Sequence, residues 1–226
     1  MTQPPSRRLL VVDDDPRLRE IYRSFFAQHK EFDVVGEARD GAEAVDAYAR
    51  LQPDLVLMDL QMPGSSGIDA TRTICGRWPR ACVVAITTFG TRDYVVAALR
   101  AGASGYLLKS TDGPALLAAL RGALAGDMPL SSAVRRELVS TLVDDTSAPG
   151  QPHQDPGLTP RETELVGWLA HGLTNQQIGT RMHLSEGSVK QYVARVADKL
   201  QVVSRTQILV RAIQLGIVDP MQLELA

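Results

Sequence analysis

Five short apolar runs punctuate the first half of the chain: LLVV at 9–12, DVVGE at 33–37, LVLM at 55–58, ACVVAI at 81–86 and GYLL at 105–108. Runs of this length, apolar without a strict period of two, are the pattern of strands buried on both faces of a parallel sheet. Between them lie PRLREIYRSFFAQH, DGAEAVDAYARL, GIDATRTICGRW, TRDYVVAALRAG and GPALLAALRGAL, each with apolar residues at helical spacing. Asp40 with Glu43 forms a capping-box pattern, and Asp15 before Pro16 suits a helix N-cap. The alternation predicts an α/β doubly wound, five-stranded parallel sheet over residues 1–126.

From Asp127 the pattern fails. Val134, Leu138 and Leu142 could line one face of a short helix over 131–143, after which DDTSAPGQPHQDPG, with three prolines and two glycines, has the composition of a flexible linker. Residues 127–157 are therefore expected to join two domains. Thr159, Pro160 and Glu162 then mark a helix start with N-cap, N1 proline and capping box together. Thr174 with Gln177 and Ser204 with Gln207 repeat the box, and Ser185 is a further N-cap candidate. Four helices follow, at roughly 160–171, 174–182, 185–200 and 204–216, which predicts a small all-α domain over 158–226.

Length and charge agree with this division. At 226 residues the chain suits two modest domains, each able to bury a core. Its net charge of −2 is spread evenly: residues 1–126 carry 15 basic and 15 acidic side chains, 127–157 carry 2 and 5, and 158–226 carry 7 and 6. No segment is a basic tail, so nucleic-acid binding would have to come from a local surface. Cys75 and Cys82 show neither metal-ligand spacing nor a disulfide framework, and are expected to be free thiols in a reducing cytoplasm. The N-terminus MTQPPSRRLLVVDDD has too short an apolar run for a signal peptide or a membrane span.

In an open parallel sheet, ligands bind at the carboxyl ends of the strands. Those ends carry Asp13 and Asp14 after the first run, Asp59 after the third, Thr87 after the fourth and Lys109 after the fifth. Each acid alone could be a strand-end cap; all five residues at one edge make a site. Converging carboxylates repel unless a cation joins them, and hard oxygen donors select Mg²⁺. A carboxylate such as Asp59 can also attack phosphorus, provided cations neutralise the phosphoryl oxygens, as Mg²⁺ and Lys109 would. Thr87 could donate to one of those oxygens. The turn at Pro63 and Gly64 would hold the backbone carbonyl of Gln61 near the metal.

LLVVDDDP, DLVLMDLQMPGSSG, VVAITTF and ALRAGASGYLLK together resemble the receiver domain of bacterial two-component response regulators, over about residues 7–126. The resemblance implies a flavodoxin-like sheet of order 2-1-3-4-5, Asp59 as phosphoacceptor, Asp13 and Asp14 as Mg²⁺ ligands, Thr87 and Lys109 as phosphoryl contacts, and Tyr106 as an aromatic switch. KSTDG after the lysine departs from relatives that often have an acid there, which touches the loop and not the chemistry. A competing class, phosphatases that use an aspartyl phosphate, needs a general acid two residues beyond the nucleophile, where this chain has Gln61.

In the second domain, Val189, Val193, Val196 and Leu200 fall on one face of the third helix. The opposite face shows Lys190, Gln191 and Ala194, with Ser188, Tyr192, Arg195 and Lys199 at its edges. A cationic, amide-bearing face preceded by a short helix and tight turn suits a helix-turn-helix in the major groove. From 158 to 218, LTPRETEL, GLTNQQIG, LSEGSVKQYV and KLQVVSRTQ resemble the LuxR-type helix-turn-helix domain. By that resemblance the helix with Lys190 enters the groove and the last helix pairs two subunits. Lys190 and Gln191 become base-edge candidates, and Ser188, Tyr192, Arg195 and Lys199 phosphate candidates. Ala194 stands where relatives often carry a basic or polar residue.

Both resemblances together imply a response regulator of the NarL/FixJ type, not an enzyme: a sensor histidine kinase phosphorylates Asp59, and the chain, as a homodimer, binds double-stranded promoter DNA away from any membrane. The alternative is a phosphorylation-independent DNA-binding regulator with a vestigial receiver.

Overall fold

The computed structural model describes residues 6–63, 66–88, 92–130, 134 and 156–218. The helix expected at 131–143, apart from Val134, and the linker up to residue 155 lie outside the described residues.

The N-terminal domain is a five-stranded parallel sheet of order β2-β1-β3-β4-β5. Its strands are β1 (Arg7–Val12), β2 (Phe32–Ala38), β3 (Leu55–Asp59), β4 (Val83–Thr87) and β5 (Gly105–Leu108). Its helices are α1 (Pro16–Ala27), α2 (Gly41–Leu51), α3 (Gly67–Arg77), α4 (Arg92–Arg100) and α5 (Gly113–Ala125). Central strands β3 and β4 are buried at every residue, which is why their sequence is apolar without alternation. The pleat still sorts side chains into two layers. Leu9, Val11, Leu55, Leu57, Val84 and Ile86 join Phe26 and Leu120 on one side, while Leu10, Val12, Val56, Met58 and Ala85 join Ile74, Val95 and Leu99 on the other.

Local signals set the helix starts. Asp15 caps α1 by accepting from the Arg17 N–H ahead of Pro16, and Asp40 caps α2 by accepting from the Glu43 N–H. The box at Asp40 is displaced by one residue, because the Glu43 carboxylate accepts from the Arg39 N–H.

The C-terminal domain is four helices: α6 (Pro160–Ala170), α7 (Asn175–Met182), α8 (Glu186–Leu200) and α9 (Arg205–Gln214). Reciprocal capping boxes open α6 at Thr159/Glu162 and α7 at Thr174/Gln177. Ser204 caps α9, but the Gln207 side chain accepts from the Val203 N–H instead of closing a box. The turn between α7 and α8 is tight because α7 carries Gly179, where an added Cβ would lie 2.6 Å from the Leu184 carbonyl oxygen.

The two domains touch at the amino end of the sheet, opposite Asp13 and Asp59. Asp127, just past α5, accepts from the Asn175 N–H at 2.9 Å and so helps cap α7 of the other domain. The Asn175 side chain donates to the Ala125 carbonyl (3.2 Å) and accepts from Arg205 (2.7 Å), which also reaches the carbonyls of Gly126 and Leu173. Thr206 donates to the Ala103 carbonyl at 2.6 Å and Gln207 to the Arg100 carbonyl at 3.1 Å. α9 thus lies against α4 and the loop after it, and Arg211 is its sole exposed residue. A cavity of about 320 Å³ remains in the seam, lined by Cys75, Cys82, Ser104, Asp127, Val193 and Arg205 among others. Val193, expected to face its own domain's core, is half-buried at this seam.

Thr206→Val keeps the shape of the side chain and leaves the buried Ala103 carbonyl without its partner, a loss of about 1–3 kcal/mol to the docked arrangement. Small-angle scattering should show a larger radius of gyration in the variant; superimposable curves would mean that this contact does not hold the domains.

Candidate functional site

β1, β3, β4 and β5 all run out at one edge, and there the sheet brings together Asp13, Asp14, Asp59, Thr87 and Lys109. Ligand atoms of Asp13, Asp14 and Asp59 all lie within 4.8 Å of one another. Asp13, Asp59 and Thr87 are buried, while Asp14 opens to solvent. The Lys109 ammonium sits between two of the acids, 2.7 Å from Asp13 Oδ2 and 2.8 Å from Asp59 Oδ2. Backbone N–H groups hold the other oxygens: Asp15 donates to Asp13 Oδ1 at 3.0 Å, and Gln61 to Asp59 Oδ1 at 3.1 Å. The Thr87 hydroxyl donates to the Gln61 side-chain oxygen at 3.4 Å.

Burial pushes the Asp13 carboxyl pKa up, against the bonds from Lys109 and Asp15 that favour its charge. For Lys109, burial disfavours the ammonium, but the hydrogen bonds to Asp13 and Asp59 together outweigh it and the pKa rises. The single Lys109 ammonium therefore only partly balances the three clustered carboxylates. Asp13 Oδ2 is buried with the Lys109 ammonium as its one partner among the described residues, so lone pairs remain for a second cation. With three hard oxygen donors and no sulfur or imidazole beside them, the residues fit Mg²⁺. Gly64 of the expected turn lies outside the described residues, and Gln61 joins the site through its N–H and side chain.

Tyr106 of β5 is fully buried, and its phenol pKa is pushed up to about 12 by burial and by the Asp59 charge. Sequence reasoning missed Gly67, at the start of α3. A Cβ there would collide with the Asp59 carbonyl, so only glycine lets α3 begin against the strand that carries Asp59. The run GSSG hinted at a turn, but not at this close approach.

On the other domain, α8 turns Lys190, Gln191, Ala194 and Arg195 to solvent on one side. Lys190 pairs with Glu186 one turn earlier at 2.9 Å, and the Arg195 guanidinium lies 4.2 Å from the centre of the half-buried Tyr192 ring. Two expected phosphate contacts are engaged elsewhere. Ser188 Oγ sits 2.9 Å from the capping Ser185 Oγ. Lys199 binds Glu162 at 2.7 Å and the Gly157 carbonyl at 2.8 Å, a tether from α8 to the start of α6. Among the described residues no helix is long and apolar enough to cross a membrane.

The Lys199 bond, with the Thr159 N–H, holds the Glu162 carboxyl at about 2, well below its ordinary 4.5. A depressed carboxyl stabilises the fold above the unfolded value and loses that contribution as pH falls towards the folded one. Lys199→Ala should therefore move acid unfolding of this domain, followed by Trp168 fluorescence, to higher pH; coincident acid transitions would refute the tether.

Comparison with known proteins matches residues 9–121 to the response regulator receiver domain and residues 156–212 to the luxR family of bacterial regulatory proteins. The chain is similar to the uncharacterized transcriptional regulatory protein YxjL of Bacillus subtilis, 36% identical over 94% of this chain and 97% of that one. It is 33% identical to the nitrate/nitrite response regulator protein NarL of Escherichia coli, over 88% of this chain and 91% of the relative. Among solved structures, it resembles the response regulator ChrA of a heme-sensing two-component system, with TM-score 0.52, 32% identity, and coverage of 95% of this chain and 100% of that chain.

Proposed function

Since the chain belongs to the two-component response regulators that join a receiver to a LuxR-type DNA-binding domain, we propose that Asp59 accepts a phosphoryl group and that this modification governs pairing on DNA. One observation carries the reading: a buried carboxylate at the end of β3 lies within ion-pair reach of Lys109 and beside two further carboxylates. Transfer from a sensor histidine kinase forms a bond from an Asp59 oxygen to phosphorus and breaks the donor's nitrogen–phosphorus bond, and the leaving imidazole takes up a proton. Mg²⁺, held by Asp13, Asp14, Asp59 and the Gln61 backbone carbonyl, would supply charge neutralisation of the phosphoryl oxygens. Lys109 keeps Asp13 as partner and turns its remaining donors from the Asp59 carboxylate to the phosphoryl group. Thr87 exchanges the Gln61 side chain for a phosphoryl oxygen, and Tyr106, in the next strand, is the switch between β4 and the α4–β5 loop.

That loop carries Ala103, to which α9 is bonded through Thr206. The helix expected to pair two subunits is thus occupied by the chain's own receiver, and pairing requires its release. Phosphorylation then shifts an existing equilibrium between docked and released readers. Two released readers, paired through α9, present two α8 helices to double-stranded promoter DNA, with Lys190 and Gln191 at base edges and Arg195 and Tyr192 at phosphates. The readers carry little net charge, so one copy neutralises few phosphates and affinity depends on pairing. Binding promoter DNA, the protein would act in the cytoplasm. Gln61 leaves no general acid two residues beyond Asp59, which favours a switch over a phosphatase.

Asp59→Asn should not be labelled by acetyl phosphate in the presence of Mg²⁺; labelling at the wild-type level would overturn the assignment. Lys190→Ala should weaken a specific DNA site by about 1–3 kcal/mol and relax preference at one base position. An equal loss on every sequence would instead make Lys190 a phosphate contact.

A further inference from the structure

Bonded to the backbone of the acid turn is a second charged group that the phosphoryl chemistry does not use. Arg19 of α1 donates from Nη1 to the backbone carbonyl of Asp13 at 2.6 Å and to that of Asp14 at 3.3 Å. Its Nε donates to Glu37 of β2 at 3.3 Å, and the other Glu37 oxygen accepts from Arg23 at 3.3 Å. Both partners are largely withdrawn from water, with side-chain exposures of 18% for Arg19 and 29% for Glu37.

We propose that Arg19, held by Glu37, is a positioning residue that sets the Mg²⁺ affinity of the pocket by fixing the peptide groups from which Asp13 and Asp14 project. This inference rests on the reading of the pocket as a Mg²⁺ site. The main chain leaves the sheet at Asp13, whose N–H bonds to the Ala38 carbonyl, and then carries three acids in succession. Repulsion among those acids favours splaying the turn. A guanidinium whose Nη1 bonds two successive carbonyls, while its Nε is held by Glu37, opposes rotation of both peptides and keeps both carboxylates directed to one volume.

Two effects of Arg19 have opposite signs. A nearby cation repels Mg²⁺, whereas an ordered turn binds it better. Glu37 faces the guanidinium directly and offsets its charge, so the repulsion is small and the ordering effect decides. Groups that orient metal ligands from behind typically change affinity 10- to 100-fold when removed.

The test is calorimetric titration of the full-length protein with MgCl₂. Arg19→Gln should raise the Mg²⁺ dissociation constant at least about tenfold. Arg19→Lys, which keeps the charge and one donor able to reach a carbonyl, should recover part of that loss. Thermal unfolding without metal separates loss of fold from loss of ligand orientation. An unchanged dissociation constant in Arg19→Gln would overturn the proposal, as would a weakening in Arg19→Lys as large as in Arg19→Gln. Should Arg19→Gln fail to fold, Arg19→Lys alone decides: a single ammonium cannot hold Glu37 and the turn carbonyls from two nitrogens, so it is expected to bind Mg²⁺ more weakly than wild type, and wild-type affinity would overturn the proposal. Failure of the underlying Mg²⁺ reading looks different: the wild type would take up no Mg²⁺, or Asp13→Asn would bind it as well as wild type does.

Discussion

Three carboxylates with ligand atoms within 4.8 Å of one another repel, and the ammonium of Lys109 bridging Asp13 and Asp59 is the interaction that lets the fold hold them. Lys109 follows β5 and Asp13 follows β1, so the bridge spans the sheet across β3 and β4. The bridge leaves the cluster incompletely neutralised, and it leaves Asp13 Oδ2 with unused lone pairs. In a site so arranged, a divalent cation or a phosphoryl group on Asp59 would change what Lys109 is paired with. The same imbalance explains why the acid turn is also secured through its backbone by Arg19.

Consequences of that repairing must cross the molecule, because the second domain is docked at the opposite end of the sheet. The path is short in sequence terms: Thr87 ends β4, α4 follows, and the loop from Ala101 to Ser104 leads into Tyr106. At that loop the Ala103 carbonyl accepts from Thr206. The dock itself is held by a few polar bonds around a buried cation. Arg205 is bonded to carbonyls and to Asn175, with no carboxylate in hydrogen-bond contact among the described residues, and burial draws its pKa down to about 10 in spite of Asp127 nearby. Burying an arginine without a carboxylate partner costs free energy that solvent would return on opening. On the proposed mechanism, that cost is what favours release of the docked reader.

Much of this was legible in the sequence, because the signals are local. The runs at 9–12 and 55–58, and residues 83–86 of the fourth, became buried strands, and Thr159/Glu162 and Thr174/Gln177 became reciprocal caps. The acid cluster was legible because parallel strands end at one edge. What stayed hidden joins residues far apart in the chain. Arg19 meets Glu37 across α1 and β2, Lys199 meets Glu162 across the second domain, and Asn175 and Arg205 meet the end of α5. Lys199 is an example: its place on the face of α8 suggested a phosphate contact, and tertiary packing also pairs it with Glu162, a contact no local signal indicated. Gly67 was hidden for a related reason, since the need for a missing Cβ depends on how closely α3 approaches Asp59.

The central claim is that charge added at Asp59 releases α9 from the α4–β5 loop. It is tested most directly by single-molecule energy transfer between a dye at Ser24 on α1 and one at Asp198 on α8, introduced through unnatural amino acids so that Cys75 and Cys82 stay intact. At concentrations where the protein is monomeric, the free chain should give one narrow distance, and Mg²⁺ with beryllofluoride, a phosphoryl mimic, should convert it to a longer and broader distribution. An unchanged distance under conditions where beryllofluoride tightens DNA binding would contradict the account.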